Sequence, residues 1–451
     1  PHRMPNRNRN MRLLIVLLAV AAAAFPVPQP LRAAESLASG AVEDWYQFHG
    51  PRRDNLSHET GLLTAWPDGG PPLIWKTAGI GHGFATVSIA GQKLFTAGDL
   101  DGKTMITALD HSGKILWQSA NGPAYERQYP GARGTPTVVD GKVYHLNGDG
   151  DVGCFDAAGG EALWSVNLTD RFGGRSPQWG LAESVIIDGE KLICCPGGEK
   201  IGVVALNKDT GETIWTSTGI GDRPAYASGI IVEHAGLRQF ITTMFASVVG
   251  VDLSTGRLLW QWEQEAPYGV NVATPVYHDG HVAVSTTWGR GTTKLKLVVA
   301  GRDCSVEKVW HSGQLDNEVG GFILVDGYLY GLADGNHRRR HWVCLDWTTG
   351  ELMYDASGPG RRQAATSYAD GMLYLLGEEG TMALARAVPE RFEIISQFNL
   401  PKGPEGPAWA HPVIHGGRLY LRHGDWLYAH DIRPARNAAR PRSPKAAGGL
   451  Q

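Results

Sequence analysis

The stretch Ala205 to Trp215, reading ALNKDTGETIW, constrains the fold of this 451-residue chain more than any other. Asp and Thr side chains can bond their own local backbone, and Gly211 accepts the positive φ that a tight hairpin needs. The stretch therefore predicts a strand, a turn and a second strand that carries the indole of Trp215. One copy would be a weak signal, but the pattern recurs along the chain.

A small residue followed about ten positions later by a larger apolar or aromatic residue occurs seven times. Five copies keep a glycine four residues before the second member, whereas the fifth and seventh copies lose it. The copies are 41–51 residues apart, which fits one four-stranded propeller blade. The pairs are Ala108 and Trp117, Cys154 and Trp164, Ala205 and Trp215, Gly250 and Trp260, Ala300 and Trp310, Cys344 and Tyr354, and Ala385 and Ile395.

Two further strands precede most copies of the motif. Apolar runs joined by Asp-Gly, such as TPTVVDGKVYHL (135–146) and SYADGMLYLL (367–376), are a strong hairpin signal. Each blade then has strands A and B before the motif and strands C and D within it.

The two ends of the repeat region decide the number of blades. The last unit (411–432) has strands A, B and C with Ala429, but no strand D. Near the start, LIWK (73–76) is a D-like strand with Trp75 and no blade before it. Trp75 can complete the final blade and leave no open edge. We therefore expect an all-β, eight-bladed β-propeller over residues 73–433; seven blades remain an alternative if a degenerate unit does not form.

The N-terminus has the features of an export signal. Met11-Arg12 begins a basic region, Leu13 to Phe25 is apolar, and Ala33-Ala34 offers a cleavage site. Thirteen apolar residues are too few to span a bilayer comfortably, so removal is favoured over anchoring. Residues 1–34 are thus interpreted as upstream residues and a signal peptide (about 11–34), and the mature protein as periplasmic or secreted, without a transmembrane segment.

Two segments flank the predicted ring. We expect residues 35–72 to pack on the propeller as an extension, and residues 434–451, rich in Arg, Pro, Ala and Gly, to be disordered. From Glu35 onward 37 basic residues face 45 acidic ones, a net charge of -8, so nothing suggests a nucleic-acid partner. We expect a monomer.

The motif small-x-Asp-x-x-Thr-Gly-x-x-x-Trp resembles the pyrroloquinoline quinone (PQQ)-like propeller repeat. That family includes quinoprotein alcohol dehydrogenases and the outer-membrane assembly factor BamB. The stretches WYQFHGPRRDNLS, PQWGLAES, LICCPGGEK and AWAHPVIHGGRLYLR are similar to a secreted bacterial branch described as PQQ-binding-like or polyvinyl-alcohol-dehydrogenase-like. The resemblance covers roughly residues 45–433 and implies the propeller fold. It does not choose an activity, because the same repeat serves enzymes and binding scaffolds.

The repeated aromatic residues are interpreted as structural. An indole between neighbouring blades buries about 200 Å², worth about 5 kcal/mol as an upper figure. The residues assigned to blade docking are Trp75, Trp117, Trp164, Trp215, Trp260, Trp310 and Tyr354.

Cys194 and Cys195 are adjacent. Quinoprotein alcohol dehydrogenases carry an adjacent, bonded cysteine pair beside their cofactor, so the resemblance implies a vicinal disulfide here. Against it, adjacent strand residues point to opposite faces, which favours two buried thiols.

Residues just before each strand A should line the mouth of the central channel, and in this chain many of them are polar or aromatic. Such residues could hold an anionic planar cofactor, a sugar or a phenolic ligand by charged hydrogen bonds and stacking. The alternative is that channel mouths are polar because they are wet. The candidates are Arg133, Trp179, Glu183, Tyr226, Asn271, Asn317, Glu318, Arg361, Trp409 and His411.

These observations favour an exported, non-catalytic module that binds a small-molecule ligand or an envelope protein. One alternative is a PQQ-dependent alcohol or polyol dehydrogenase, with a calcium ion held by oxygens of Glu183, Asn271, Asn317 and Glu318. No catalytic residue or metal ligand can be assigned, because no metal motif of those enzymes matches and the repeats lack their long insertions. The second alternative is a BamB-like scaffold. No cofactor is therefore fixed by the sequence.

Overall fold

The computed structural model describes residues 43–333, 341–360 and 363–435. Its strands form eight antiparallel sheets of four consecutive strands, and one sheet gains a fifth, parallel strand. The all-β, eight-bladed propeller predicted from the repeat is confirmed. The strands of each blade are called A to D, from the central channel outwards.

Two strands precede the first complete blade, namely β1 (Leu56–Ser57) and β2 (Leu73–Thr77). Blades 1 to 4 contain β3 (Ser88–Ala90), β4 (Lys93–Leu100), β5 (Lys103–Asp110) and β6 (Ile115–Pro123); β7 (Thr137–Val139), β8 (Lys142–Leu146), β9 (Asp151–Asp156) and β10 (Ala162–Asn167); β11 (Ile186–Asp188), β12 (Lys191–Cys194), β13 (Ile201–Asn207) and β14 (Thr213–Thr218); and β15 (Ile230–His234), β16 (Leu237–Thr243), β17 (Ser247–Asp252) and β18 (Leu258–Glu263).

The last four blades contain longer outer strands in blade 5 and strands from both ends of the chain in blade 8. They are β19 (Val276–His278), β20 (His281–Thr286), β21 (Gly291–Ala300) and β22 (Asp303–Ser312); β23 (Phe322–Val325), β24 (Tyr328–Ala333), β25 (His341–Asp346) and β26 (Leu352–Ala356); β27 (Ala364–Ala369), β28 (Met372–Gly377), β29 (Thr381–Arg386) and β30 (Ile394–Asn399); and β31 (Val413–His415), β32 (Arg418–His423) and β33 (Trp426–Asp431), completed by β2.

Helical structure is confined, in the described ranges, to two connections between blades. Helix α1 (Leu168–Phe172) follows β10, and its N-terminus is capped by the side chain of Asn167, which accepts the Thr169 N–H. A 3₁₀ turn at Pro267–Gly269 joins blades 4 and 5. No helix among the described residues is long and apolar enough to cross a membrane.

The hairpins within blades follow from their turn residues. In the β7–β8 turn, Asp140 and Gly141 have φ values of 51° and 72°. Two consecutive residues at positive φ make the turn type whose twist matches antiparallel strands, which is why Asp-Gly recurs at this position.

The two ends of the chain close the ring. Strand β2 pairs antiparallel with β33, and Trp75 lies opposite Ala429, as the repeat predicts. Strand β1 adds to blade 7 in parallel with β27. The last blade therefore has no exposed edge, because chain segments about 350 residues apart share one sheet.

A tryptophan and a glycine join most neighbouring blades. Trp164 of blade 2 donates its indole N–H to the Lys208 carbonyl of blade 3 at 3.0 Å. A Cβ on Gly211 would lie 2.8 Å from the Trp164 ring, so only glycine leaves room for the indole. The other pairs with this close packing are Trp75 and Gly113, Trp117 and Gly160, Trp215 and Gly256, and Trp310 and Gly350.

The degenerate copies alter this contact. Blade 5 lacks the turn glycine, and Trp260 of blade 4 donates instead to Gln239 of its own blade at 2.7 Å. Blade 7 also lacks it, and blade 6 presents Tyr354, which packs on Phe392 with ring centres 5.9 Å apart. The aromatic residue of one blade therefore depends on the turn of the next.

Two repeat pairings expected from the sequence are wrong. Lys294, not Ala300, lies opposite Trp310, because β21 and β22 extend beyond the usual turn. In blade 7, Ala385 lies opposite Ile394 rather than Ile395, because a bulge skips Ile395.

Candidate functional site

The starts of the innermost strands are joined around the channel by hydrogen bonds between blades. The backbone N–H groups of Thr86, Thr135 and Ser184 donate to the hydroxyls of Thr135, Ser184 and Ser228, at 3.0, 2.9 and 2.9 Å. The Thr86 hydroxyl donates to the His411 carbonyl at 2.8 Å, which links blade 1 to blade 8. Side chains at the channel wall are therefore held on rigid elements, as a precise binding site requires.

Residues 45–55, here called the plug, enter the channel from the end where strands A finish. The carbonyls of Trp45 and Tyr46 accept the N–H groups of Ile89 and Val138, which belong to strands A of blades 1 and 2. Most of the plug is buried, including Trp45 and Asn55. One end of the channel is thus filled by chain that precedes the ring.

Arg53 fixes the plug to blades 3 and 4. Its guanidinium donates to the carbonyls of Gly229 (2.8 Å), Ser184 (2.9 Å) and Val185 (2.5 Å). Its Nε donates to the Gln47 side-chain oxygen at 3.1 Å. Burial lowers the pKa of Arg53 to about 10, which still leaves it protonated at neutral pH.

Two buried histidines lie where the plug meets blade 8. His49 Nε2 and His411 Nδ1 are 2.9 Å apart, and His411 Nε2 is 3.2 Å from the Val319 carbonyl. His411 therefore donates through Nε2 and accepts at Nδ1. Burial lowers the pKa of His411 to about 4 and that of His49 well below its usual value, so both rings are neutral at neutral pH.

A cavity of about 1040 Å³ fills the channel between the plug and the mouth, the end where strands A begin. Phe48 and His49 of the plug lie against it, stacked with ring centres 3.7 Å apart. Ser184, Ser228 and Thr274 line its wall. Its volume is at the upper end of the range for small-molecule sites.

Two aromatic groups flank the mouth. Trp409 lies 5.0 Å from Phe84 and 5.4 Å from Tyr129, measured between ring centres. Across the cavity, Trp179 and Tyr226 lie 5.8 Å apart, and burial raises the pKa of Tyr226 to about 12. These rings present flat apolar faces to any ligand in the cavity.

A third group, Tyr268 with Trp288, has ring centres 5.5 Å apart, and the Tyr268 side chain is exposed. Tyr129, Tyr268 and Trp288 have φ values of 55°, 56° and 57°, a backbone conformation that is unfavourable for bulky residues. Six other residues at positive φ precede the glycine of a turn, namely Asp101, Asp140, Ala235, Asp279, Asp326 and Asp370.

The remaining non-glycine residues at positive φ, within the described ranges, are His49, Arg53 and Asn55 of the plug. Outside the turns, backbone strain is thus concentrated at the two ends of the cavity. Such strain clusters at functional sites, where the surrounding structure maintains it.

Six of the residues nominated from sequence line the cavity, namely Arg133, Trp179, Tyr226, Glu318, Trp409 and His411. The Arg133 guanidinium donates to the carbonyls of Gly131 (2.7 Å) and Tyr129 (2.5 Å) and stacks 4.2 Å above the Tyr125 ring. Its charge therefore serves mainly to hold the loop of Tyr129.

Two carboxylates also line the cavity. Glu318 accepts a hydrogen bond from the Gln363 amide, and Glu378 accepts one from the Trp409 indole at 3.4 Å. Glu378 was not foreseen from the sequence, because it follows strand B of its blade rather than preceding strand A.

Asn271 and Asn317 are turned into the protein. The Asn271 amide donates to the carbonyls of Met244 and Gln264 at 3.0 and 3.1 Å, and the Asn317 amide donates to the Leu332 carbonyl at 2.9 Å. Both are almost fully buried and hold loops at the channel wall. Arg361, the tenth nominated residue, lies outside the described residues.

Glu183 is likewise buried outside the cavity lining. Its carboxylate accepts the Cys195 N–H at 2.9 Å, and the Cys195 thiol donates to it at 3.6 Å. Cys194 and Cys195 are free thiols in this structure, and burial raises the pKa of both well above the usual value. Both sulfurs are therefore protonated at neutral pH.

The oxygens proposed to hold calcium do not converge. Glu183 and the two asparagines are occupied by backbone groups, which leaves Glu318 as the one member of that set in the cavity. Across the described ranges, no three His, Cys, Asp or Glu side chains are grouped to hold a metal ion. The residues therefore do not fit PQQ with calcium in the expected arrangement.

Sequence reasoning missed Phe48, Tyr129, Tyr268 and Trp288. A local signal was available, because Tyr129, Tyr268 and Trp288 each directly precede glycine or proline in a connecting loop. A bulky aromatic residue at such a position is neither a strand residue nor a blade-docking residue, which leaves the mouth as its place.

A model of the family described as outer membrane protein assembly factor BamB matches residues 102–353. Proteins of that name from Bordetella pertussis and Shewanella oneidensis are 29% identical over 194 residues and 26% identical over 161 residues. These segments are 42% and 34% of this chain and span only 46% and 38% of the two relatives.

Solved structures share the fold at low sequence identity. BamB from Moraxella catarrhalis has a TM-score of 0.58 at 14% identity and covers 80% of this chain and 97% of its own. A europium-containing methanol dehydrogenase has a TM-score of 0.64 at 11% identity, covering 85% of this chain and 90% of its own. Quinohemoprotein alcohol dehydrogenase from Comamonas testosteroni has a TM-score of 0.60 at 13% identity, covering 91% and 82%. At these identities the likeness concerns the fold alone.

Proposed function

Because the chain belongs to the PQQ-like propeller family described as outer membrane protein assembly factor BamB, we propose that it is an exported, non-catalytic module that holds a ring-bearing small molecule in its central cavity. The observation that carries the proposal is the cavity of about 1040 Å³, filled at one end by the plug and flanked by aromatic side chains at the other. An enclosed, largely apolar space with a few polar groups is the usual form of a small-molecule site.

The strained aromatic residues support a binding role over a merely wet channel mouth. Glycine would occupy the positions of Tyr129, Tyr268 and Trp288 at lower conformational cost, since all three have positive φ. Tyr268 is also 66% exposed, so packing in the unliganded protein does not explain the side chain. A ligand that stacks on these rings would.

A role as an envelope scaffold is the second candidate, and family membership favours it. The export signal expected at residues 11–34, outside the described ranges, places either role in the periplasm or beyond the cell. A PQQ-dependent dehydrogenase receives less support, because the oxygens proposed for its calcium ion are bonded to backbone groups.

The cavity proposal is tested with N-phenyl-1-naphthylamine, a neutral ring compound whose emission rises in apolar surroundings. We expect one molecule to bind per chain, and Tyr268→Gly to weaken binding while unfolding free energy stays equal or rises by up to about 1 kcal/mol. The matched control is Ala235→Gly, which relieves the same positive φ in a blade turn away from the cavity and should leave binding unchanged. If the probe does not bind, or if both variants bind it like the wild type, the proposal fails.

The two alternatives have their own readouts. Reduction of an artificial dye with primary or secondary alcohols, after addition of PQQ and calcium, would overturn the non-catalytic role. Absence of probe binding together with a stable complex between the protein and envelope components would favour the scaffold.

A further inference from the structure

A second cavity, of about 500 Å³, adjoins the central one. The two share Phe84, Tyr129 and Pro407 in their linings. The side cavity lies between the connecting loops of blades 1 and 8, and it includes the partly buried Asp99, which accepts bonds from the Thr104 hydroxyl (2.7 Å) and the Tyr125 N–H (3.0 Å). A ligand in the central cavity therefore has an apolar path into a second compartment.

The charged groups along both cavities are strongly biased. The lining contains one guanidinium, that of Arg133, and no lysine. The histidines do not restore the balance, since burial lowers the pKa of His82, His49 and His411. Against this single cation stand six carboxyl side chains, namely Asp99, Asp101, Glu126, Glu318, Glu378 and Glu405.

The aromatic lining and this charge act in the same direction. The faces of Trp, Tyr and Phe rings are electronegative and attract cations within about 6 Å. A cleft lined by one sign of charge also raises the local concentration of the opposite sign. The single guanidinium is already bonded to the Tyr129 and Gly131 carbonyls, which limits what it can offer an anion.

We propose that the central cavity, continued into the side cavity, selects a small organic cation, an apolar or aromatic ring that carries a protonated amine. The inference rests on the proposed function and assigns the ligand class to the same site. It opposes PQQ as the ligand, because that cofactor carries three carboxylates, which the lining would repel.

The experiment displaces N-phenyl-1-naphthylamine with three compounds that share one ring and differ in charge. They are 2-phenylethylamine, 2-phenylethanol and 3-phenylpropionate, which are cationic, neutral and anionic at neutral pH. We expect the amine to compete about tenfold better than the acid at low salt, with the alcohol between them. Added salt should reduce the advantage of the amine but leave the alcohol unchanged.

The variant Glu126→Gln/Glu405→Gln neutralises two exposed carboxylates of the side cavity, and their exposure makes misfolding an unlikely cost. It should weaken the amine about threefold to tenfold and leave the alcohol unchanged. Glu212→Gln is the matched control, since this exposed glutamate lies at a C–D turn, at the end of the blade away from the mouth.

The results separate the two levels of the argument. Failure of the naphthylamine to bind overturns the proposed function. Binding of the naphthylamine with equal competition by all three compounds overturns only the cation preference, and so does an equal loss for all three compounds in the double variant.

Discussion

At the scale of single residues, Glu183 is the most unusual ionisable group of the channel wall. Its side chain is buried, it accepts the N–H of Cys195, and the nearest opposing charge is Arg53 of the plug. Burial raises the pKa of Glu183 to about 7, and the Cys195 N–H and Arg53 only partly oppose the shift. The protonated acid is therefore the form that the folded protein prefers.

This shift predicts a pH dependence of stability. A carboxyl group with a raised folded-state pKa contributes fully below its unfolded pKa, near 4.5, and the contribution is lost as pH rises through about 7. Relative to wild type, Glu183→Gln should therefore gain about 3 kcal/mol of unfolding free energy between pH ~4.5 and ~8. Glutamine keeps an acceptor for the Cys195 N–H and carries no charge.

Denaturant unfolding of both proteins across this pH range measures the difference. Comparison with wild type cancels the buried histidines, such as His145 and His411, whose pKa values of about 4 make stability fall as pH decreases below 6.5. Parallel stability curves for the two proteins would contradict the assignment.

At the scale of elements, each blade is tied to the next by an indole that occupies the space over a turn glycine. Trp215 of blade 3 illustrates the contact. It donates to the Leu253 carbonyl of blade 4 at 3.2 Å, and a Cβ on Gly256 would lie 2.5 Å from its ring. The glycine thus has two reasons to be there, its φ of +76° and the missing side chain.

Two alanine substitutions within blade 4 separate these reasons. Gly256→Ala should lower the unfolding free energy by about 2–4 kcal/mol, through backbone strain plus the clash with Trp215. Gly236→Ala has a similar φ of +78° but nothing within 4 Å, and should cost about 1 kcal/mol. Equal losses by thermal or denaturant unfolding would show that the indole contact adds nothing.

At the scale of the whole molecule, the plug ties the start of the chain to the centre of the ring. Arg53 donates to carbonyls of blades 3 and 4, whereas its neighbour Arg52 lies at the surface, paired with Glu43 and Asp54. Adjacent arginines with such different surroundings offer a matched comparison.

Arg53→Met should lower the unfolding free energy by about 3 kcal/mol, because buried carbonyls lose a charged donor. It should also weaken the binding of N-phenyl-1-naphthylamine, since Phe48 and His49 of the plug lie against the cavity. Arg52→Met should change both quantities little, as expected for exposed ion pairs. Loss of stability with intact probe binding would show that the plug does not shape the cavity.

Ring architecture could be derived from sequence because its determinants are local. Asp-Gly turns, the turn glycine and the aromatic residue four positions later act within one hairpin or between adjacent blades. The unmatched halves of the last blade, Trp75 and Ala429, reveal closure because each needs a partner that the other supplies. Even the errors were local, since lengthened strands moved the register opposite Trp310.

The sequence by itself thus determined the propeller, its eight blades and the end of the ring where a ligand could bind. Only the tertiary structure decided which side chains meet there. Trp179 and Trp409 face the cavity, whereas Glu183, Asn271 and Asn317 satisfy backbone groups of neighbouring loops. The physical reason is that side-chain directions at the mouth depend on connecting loops and on hydrogen bonds between blades, which join residues far apart in the chain and leave no periodic pattern.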